Sequence, residues 1–278
     1  MEGMSHPPQP SPQPWVQAPP PRRPRHPEAK LGGFSVMDWV TFAVYVGLMF
    51  VLPFGLVVFL GDAPAPAQAE LDAPSTQWAN FILNLAMYAI VFVLVLVSLG
   101  RELWRSFRSY LWYPWAKYLG VPGGWLATII VSAALVAVYA AATGQSMDAL
   151  AESQNQEAAD ALIAAIPFPL MALMLVIMGP LVEEFVFRHL LIGKLSRWVN
   201  KWLLVAVSSV AFMSLHFIGK EWPTLGTAAP YLVMGLSFGT AYVLSGKSIA
   251  YSWSVHAFSN LIALSLSVFL GPYLPSGS

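Results

Sequence analysis

Apolar residues run along this chain in long stretches, divided by short segments that hold most of the charges and prolines. Seven stretches, at 39–60, 79–99, 122–142, 168–193, 202–218, 229–245 and 248–270, are long enough to cross a hydrocarbon core of about 30 Å. Each is predicted to be helical, because a span in lipid must satisfy its backbone hydrogen bonds within itself. The pattern predicts an all-α polytopic membrane protein with about seven transmembrane helices. Composition agrees: 57% of residues are hydrophobic and 10% charged, against about 25% charged in a soluble domain.

The formal charge is zero, so nothing points to nucleic acid as a partner. Without cysteine there is no disulfide framework, thiolate metal site or cysteine nucleophile. Ten prolines fall in the first 30 residues, and residues 1–33 are predicted to be a disordered, partly polyproline II tail. The tail lacks the apolar core of a signal peptide, and a proline-rich ligand for a partner domain is its alternative use.

Basic residues set the expected orientation. Arg22, Arg23, Arg25 and Lys30 precede the first span, Arg101, Arg105, Arg108 and Lys117 follow the second, Lys194, Arg197 and Lys201 follow the fourth, and Lys247 follows the sixth. The opposite connections gather Asp62, Glu70, Asp72, Asp148, Glu152, Glu157 and Asp160, with Lys220 the one base there. By the positive-inside rule the N-terminus is cytoplasmic and the C-terminus outside or lumenal. Trp104, Phe107, Leu111 and Trp115 recur at helical spacing beside Arg101, Arg105 and Arg108, the pattern of a helix lying in the interface, with Pro114 disturbing its end.

A charge near the bilayer centre costs on the order of 3 kcal/mol, so charged residues inside spans face the bundle interior and mark function. Glu184 and Arg188 are spaced for an ion pair within one helix. Glu183 lies about 100° away around that helix and remains available for chemistry. Just upstream, Pro180 is expected to free the carbonyl of Val176 and kink the span. His216 lies four residues after Phe212, and Asn260 four after His256. A carboxylate and a histidine can hold and deprotonate a water, while histidine and asparagine donors can stabilise an oxyanion. His189 is expected to be an interfacial hydrogen-bonding residue. Helical rise puts Glu183 about 16 Å, His256 about 13 Å and His216 about 22 Å from their basic ends, so tilt, the Pro180 kink or a deeper fifth span is needed to bring them level.

"EEFVFR" at 183–188, "FMSLH" at 212–216 and "HAFSN" at 256–260 fit EExxxR, FxxxH and HxxxN. In this order and on separate spans, they resemble the CPBP (CAAX protease and bacteriocin-processing, or Abi) family of intramembrane endopeptidases, which includes type II CAAX prenyl endopeptidases. The resemblance covers residues 122–270. Residues 34–121, with two further helices and the interfacial segment, and 271–278, a short tail, lie outside it. It implies a helical protease that cleaves a membrane-embedded or lipidated peptide or protein. Glu183 and His216 would activate water, His256 and Asn260 would form the oxyanion site, and Glu184 and Arg188 would support them. The metal-free glutamate mechanism is the expectation; the zinc alternative would use Glu183, His216 and His256 as ligands. The competing functional readings are a non-catalytic membrane adaptor or bacteriocin-immunity-type protein and, with no inverted repeat to support it, a proton-coupled carrier. The site is expected in a cavity nearer the cytoplasmic half.

Overall fold

A computed structural model describes residues 31–60, 73–145, 162–218, 222–270 and 273. The proline-rich tail before residue 31, the acidic segments 61–72 and 146–161, and Lys220 lie outside the described residues.

Every regular element among the described residues is helical, as expected of backbone that must close its own hydrogen bonds in lipid. Helix α1 covers 36–60: Val36–Val46 is α-helical, Gly47–Val51 widens to a π-helix, and Leu52–Leu60 resumes the α form. Ser35 and Asp38 cap its start reciprocally, the Ser35 amide donating to Asp38 Oδ2 at 2.7 Å and the Asp38 amide to Ser35 Oγ at 3.1 Å. Helix α2 is Pro74–Leu99 and α3 is Arg101–Arg108. Helix α4 is Pro114–Thr143, and the continuous helical rod α5 covers Phe168–Arg197. Helices α6, α7 and α8 are Lys201–Leu215, Leu225–Leu244 and Ile249–Phe269.

Among the described residues six helices are long and apolar enough to cross a membrane: α1, α2, α4, α5, α7 and α8. The predicted seventh, 202–218, is the shorter helix α6, whose 15 residues extend about 22 Å. It stops at Leu215 because His216 leaves the helical hydrogen-bond pattern, its Nδ1 lying 2.9 Å from the Phe212 carbonyl oxygen. Pro114 also departs from expectation. The chain turns through Tyr113, at φ 53°, and Pro114 opens α4 at a first-turn position where its missing N–H costs nothing.

Helix α5 is the buried centre of the bundle: 61% of its span-forming stretch is buried, against 17% in each of α1, α2 and α4. Around it α6 and α7 approach most closely where Gly235 faces Ser209; a Cβ on Gly235 would stand 2.8 Å from the Ser209 Cα. Thr128 of α4 donates to Ser237 of α7 at 2.8 Å.

One end of the bundle is tied by polar contacts. Lys194, near the end of α5, meets Asp38 of α1 at 3.1 Å with both side chains buried, and donates to the Gly33 carbonyl at 3.1 Å. Ser98 of α2 donates to Asp38 at 2.8 Å. Ser106 of α3 and Ser248, the cap of α8, meet at 2.9 Å. These contacts join the start of α1 to the ends of α2 and α5, and the start of α8 to α3.

Candidate active site

The local backbone of α5 is set by Pro180. Upstream of it the helix is π-helical over Leu173–Met178, and the Gly179 amide reaches the Met174 carbonyl five residues back. In that register the amide that Pro180 lacks would have served Leu175, not Val176. Asn260 of α8 supplies the missing donor, its Nδ2 lying 2.8 Å from the Leu175 oxygen. Trp253 Nε1, also from α8, donates to the Ile177 carbonyl at 3.2 Å. The π-helical register thus replaces the expected orphan at Val176 and fastens α8 to α5 beside the glutamates.

One turn of α-helix, Gly179–Glu184, then presents the two carboxylates before the rod becomes π-helical again over Phe185–Lys194. Glu184 and Arg188 are fully buried and paired, Oε1 to Nη1 at 3.3 Å. The same Glu184 Oε1 lies 3.0 Å from His256 Nδ1. Glu183 points elsewhere: its Oε2 is 3.7 Å from His256 Nε2, and its side chain is 14% exposed where that of Glu184 is 0%. His256 therefore bridges the two carboxylates, one at each ring nitrogen.

Aromatic rings build the walls of this cluster. His256 stacks on Phe238 of α7 at 4.4 Å between centroids and meets Phe212 of α6 edge-on at 5.8 Å. The Arg188 guanidinium lies 4.8 Å from the centre of the Phe212 ring and 5.5 Å from that of Phe238, and Nη2 donates to the Gly235 carbonyl at 3.2 Å. The close approach at Gly235 therefore also delivers a carbonyl to Arg188. Glu184 Oε2 and Arg188 Nε are buried with no hydrogen-bond partner among the described residues.

Of the residues singled out in the sequence, the structure brings Glu183, Glu184, Arg188 and His256 into one cluster. His216 stands a turn away, its ring 4.9 Å from Phe212 and 4.5 Å from Tyr231 of α7, and is linked to His256 through the shared Phe212 ring. Asn260 sits one turn along α8 from His256 with its amide engaged by Leu175. Among the described residues no group of three or more His, Asp or Glu side chains converges as metal ligands. His189 is buried, stacked on Phe185, and 3.7 Å from Glu102 of α3. Burial is the main influence on the Glu102 carboxyl and raises its pKa, with Lys194 and Arg105 opposing and Asp38 adding to the rise.

Sequence reasoning missed the part played by α1. Asp38, Thr41 and Tyr45 are its buried residues, and their spacing of three and four is the signal: a polar stripe on one face of an otherwise apolar helix.

Residues 165–262, which hold every residue of this cluster, match the model of a family described as type II CAAX prenyl endopeptidase Rce1-like. A protein of Mycoplasma capricolum subsp. capricolum, described as uncharacterized, is 30% identical over 210 residues, 69% of this chain and 57% of the relative. The chain thus spans little more than half the length of that relative. No solved structure matches the chain.

Proposed function

We propose, from the match of residues 165–262 to the Rce1-like type II CAAX prenyl endopeptidase family, that this polytopic membrane protein is an intramembrane endopeptidase. It hydrolyses a peptide bond in a membrane-embedded or lipidated protein or peptide. The observation that carries the reading is the contact of Glu183 with His256 inside the bundle, at 3.7 Å. A partly open carboxylate beside an imidazole, with a buried ion pair behind it, is suited to general-base chemistry on water.

In this reading Glu183 removes the proton of the attacking water, and His216, on the next helix, helps orient that water. The hydroxide adds to the scissile carbonyl. His256, held at Nδ1 by Glu184, donates from Nε2 to the oxyanion when both ring nitrogens carry protons; Asn260 completes that side. Protonated His256 and Arg188 then balance the charges of Glu183 and Glu184, which favours their burial together. Collapse of the tetrahedral intermediate returns the Glu183 proton to the departing amine. No metal takes part in this sequence. The bundle end that gathers Arg101, Arg105, Arg108, Lys117 and Lys194 faces the cytoplasm, following the positive-inside rule.

The test is cleavage by the purified protein in nanodiscs of a peptide panel, prenylated, acylated and transmembrane, read by product mass in isotopically labelled water. Incorporation of one solvent oxygen into a new carboxyl terminus of a membrane-bound peptide is expected. Hydrolysis confined to soluble, unlipidated peptides would contradict the reading. Because the chain has no cysteine, a single cysteine at exposed Leu111 tests orientation: labelling from the cytoplasmic side is expected, and labelling from the outside alone would reverse it.

A further inference from the structure

The family match begins at residue 165, yet α2, far upstream, packs against the stretch of α5 that bears the glutamates, and α1 packs against α2. Tyr45 of α1 is 3% exposed, and it belongs to the same buried cluster as Leu181, Val182 and Phe185, which flank Glu183 in the chain. Tyr88 of α2 packs into that cluster too; its Cε1 lies 3.8 Å from where a Cβ on Gly179 would stand, one turn before Glu183. Both tyrosines lie within electrostatic reach of the Glu183 carboxylate. The other ionisable groups about Glu183 are His256 from α8, and Glu184 and Arg188 from its own helix.

The placement of the two tyrosines is fixed by independent contacts. Lys194, on the same rod as Glu183, is clamped to Asp38 at 3.1 Å, and Asp38 is held in turn by Ser98 of α2 at 2.8 Å. This ties α1 and α2 to α5 about two turns from Tyr45, on the helix face that Asp38, Thr41 and Tyr45 share. A buried ion pair contributes little net stability and is used for fixing register. Two residues after Tyr45, α1 turns π-helical over Gly47–Val51, a distortion frequent at functional sites.

We infer that the two upstream helices complete the active site, and that Tyr45 and Tyr88 are positioning residues whose hydroxyls hold the attacking water against Glu183. The inference rests on the reading of Glu183 as the base. A phenolic hydroxyl keeps its proton at neutral pH and both donates and accepts, so it can orient a water without competing for its proton. The tyrosines stay chemically unchanged through the reaction; the water's proton passes to Glu183 and on to the departing amine.

Tyr45→Phe and Tyr88→Phe keep the packing and remove only the hydroxyls. Each is expected to lower kcat about tenfold, the loss of one hydrogen bond, while KM stays within about twofold. A second readout needs no proteolysis: modification of Glu183 in the full-length protein by a lipid-soluble carbodiimide, followed by peptide mass spectrometry at fixed pH. In the double variant its rate is expected to rise about threefold or more, because a carboxylate deprived of donors spends more time protonated. A rate within about twofold of wild type in a folded double variant would overturn the inference, whether or not the protein cleaves peptides. A raised rate in a protein that cleaves nothing would instead contradict the protease reading and leave the tyrosine positions standing.

Discussion

Glu184 Oε1 lies 3.0 Å from His256 Nδ1 and 3.3 Å from Arg188 Nη1, so one oxygen holds both a helix-internal cation and the imidazole of another helix. Removing its charge leaves Arg188 buried without its counter-ion. Glu184→Gln should therefore cost about 3–5 kcal/mol of stability, read as a lower melting temperature in nanodiscs. Adding Arg188→Met should recover most of that loss. An undiminished melting temperature in the single variant would show that the pair is not what keeps the two charges tolerable.

The contact at Gly235 makes a separate claim. A methyl group there would meet the Ser209 backbone at 2.8 Å, and moving α6 away would also draw the Gly235 carbonyl from Arg188. Gly235→Ala should destabilise by about 1–3 kcal/mol, as overpacking does. Gly123, in α4, has nothing within 4 Å of its Cβ position. Gly123→Ala should be neutral or stabilising by up to about 1 kcal/mol, the helix propensity gain alone. Thermal unfolding of the two variants in parallel checks the contrast.

Glu102 supplies a pH dependence outside the spans. Its folded-state pKa is raised, with burial the main cause, so the protonated form is favoured by folding. Its contribution to stability is present below the unfolded carboxyl pKa and is lost as pH rises through the higher folded value. The difference in melting temperature between wild type and Glu102→Gln should therefore shift against wild type as pH rises through the carboxylate range. The groups facing Glu102 are His189, Lys194, Asp38 and Arg105, and their own titrations cancel in that difference to the extent that the variant leaves them in place. A difference independent of pH would contradict the assignment.

What could be read before the structure was known, and what could not, divides along physical lines. Runs of apolar residues define helices wherever lipid forces the backbone to close on itself, and the pairing of Glu184 with Arg188 follows from a spacing of four within one helix. Contacts between helices have no such local sign. The bridging of Glu183 and Glu184 by His256 depends on how α8 packs against α5, and the π-helical register that moves the orphaned carbonyl from Val176 to Leu175 depends on the whole stretch around Pro180. The end of α6 was misplaced because apolar residues continue through Phe217 and Ile218, past the point where the His216 ring takes up the Phe212 carbonyl. Asp38 was legible in its stripe with Thr41 and Tyr45, but its partner Lys194 is distant in sequence and had to be seen.

Treatment with chelators tests the metal-free mechanism. Activity of the purified protein should survive exhaustive dialysis against a strong zinc chelator within about twofold, because in the proposed mechanism Glu183 and its neighbours supply the base and the donors themselves. Loss of activity that stoichiometric zinc restores would replace that mechanism with a metal-assisted one.

The central claim is that Glu183 is the base. The direct measurement is peptidase activity of purified wild type and Glu183→Gln, side by side in nanodiscs on one cleaved membrane peptide, with melting temperatures recorded for both. The account predicts a loss of about 100- to 10,000-fold in kcat with an unchanged melting temperature. Equal cleavage by the two proteins would contradict it.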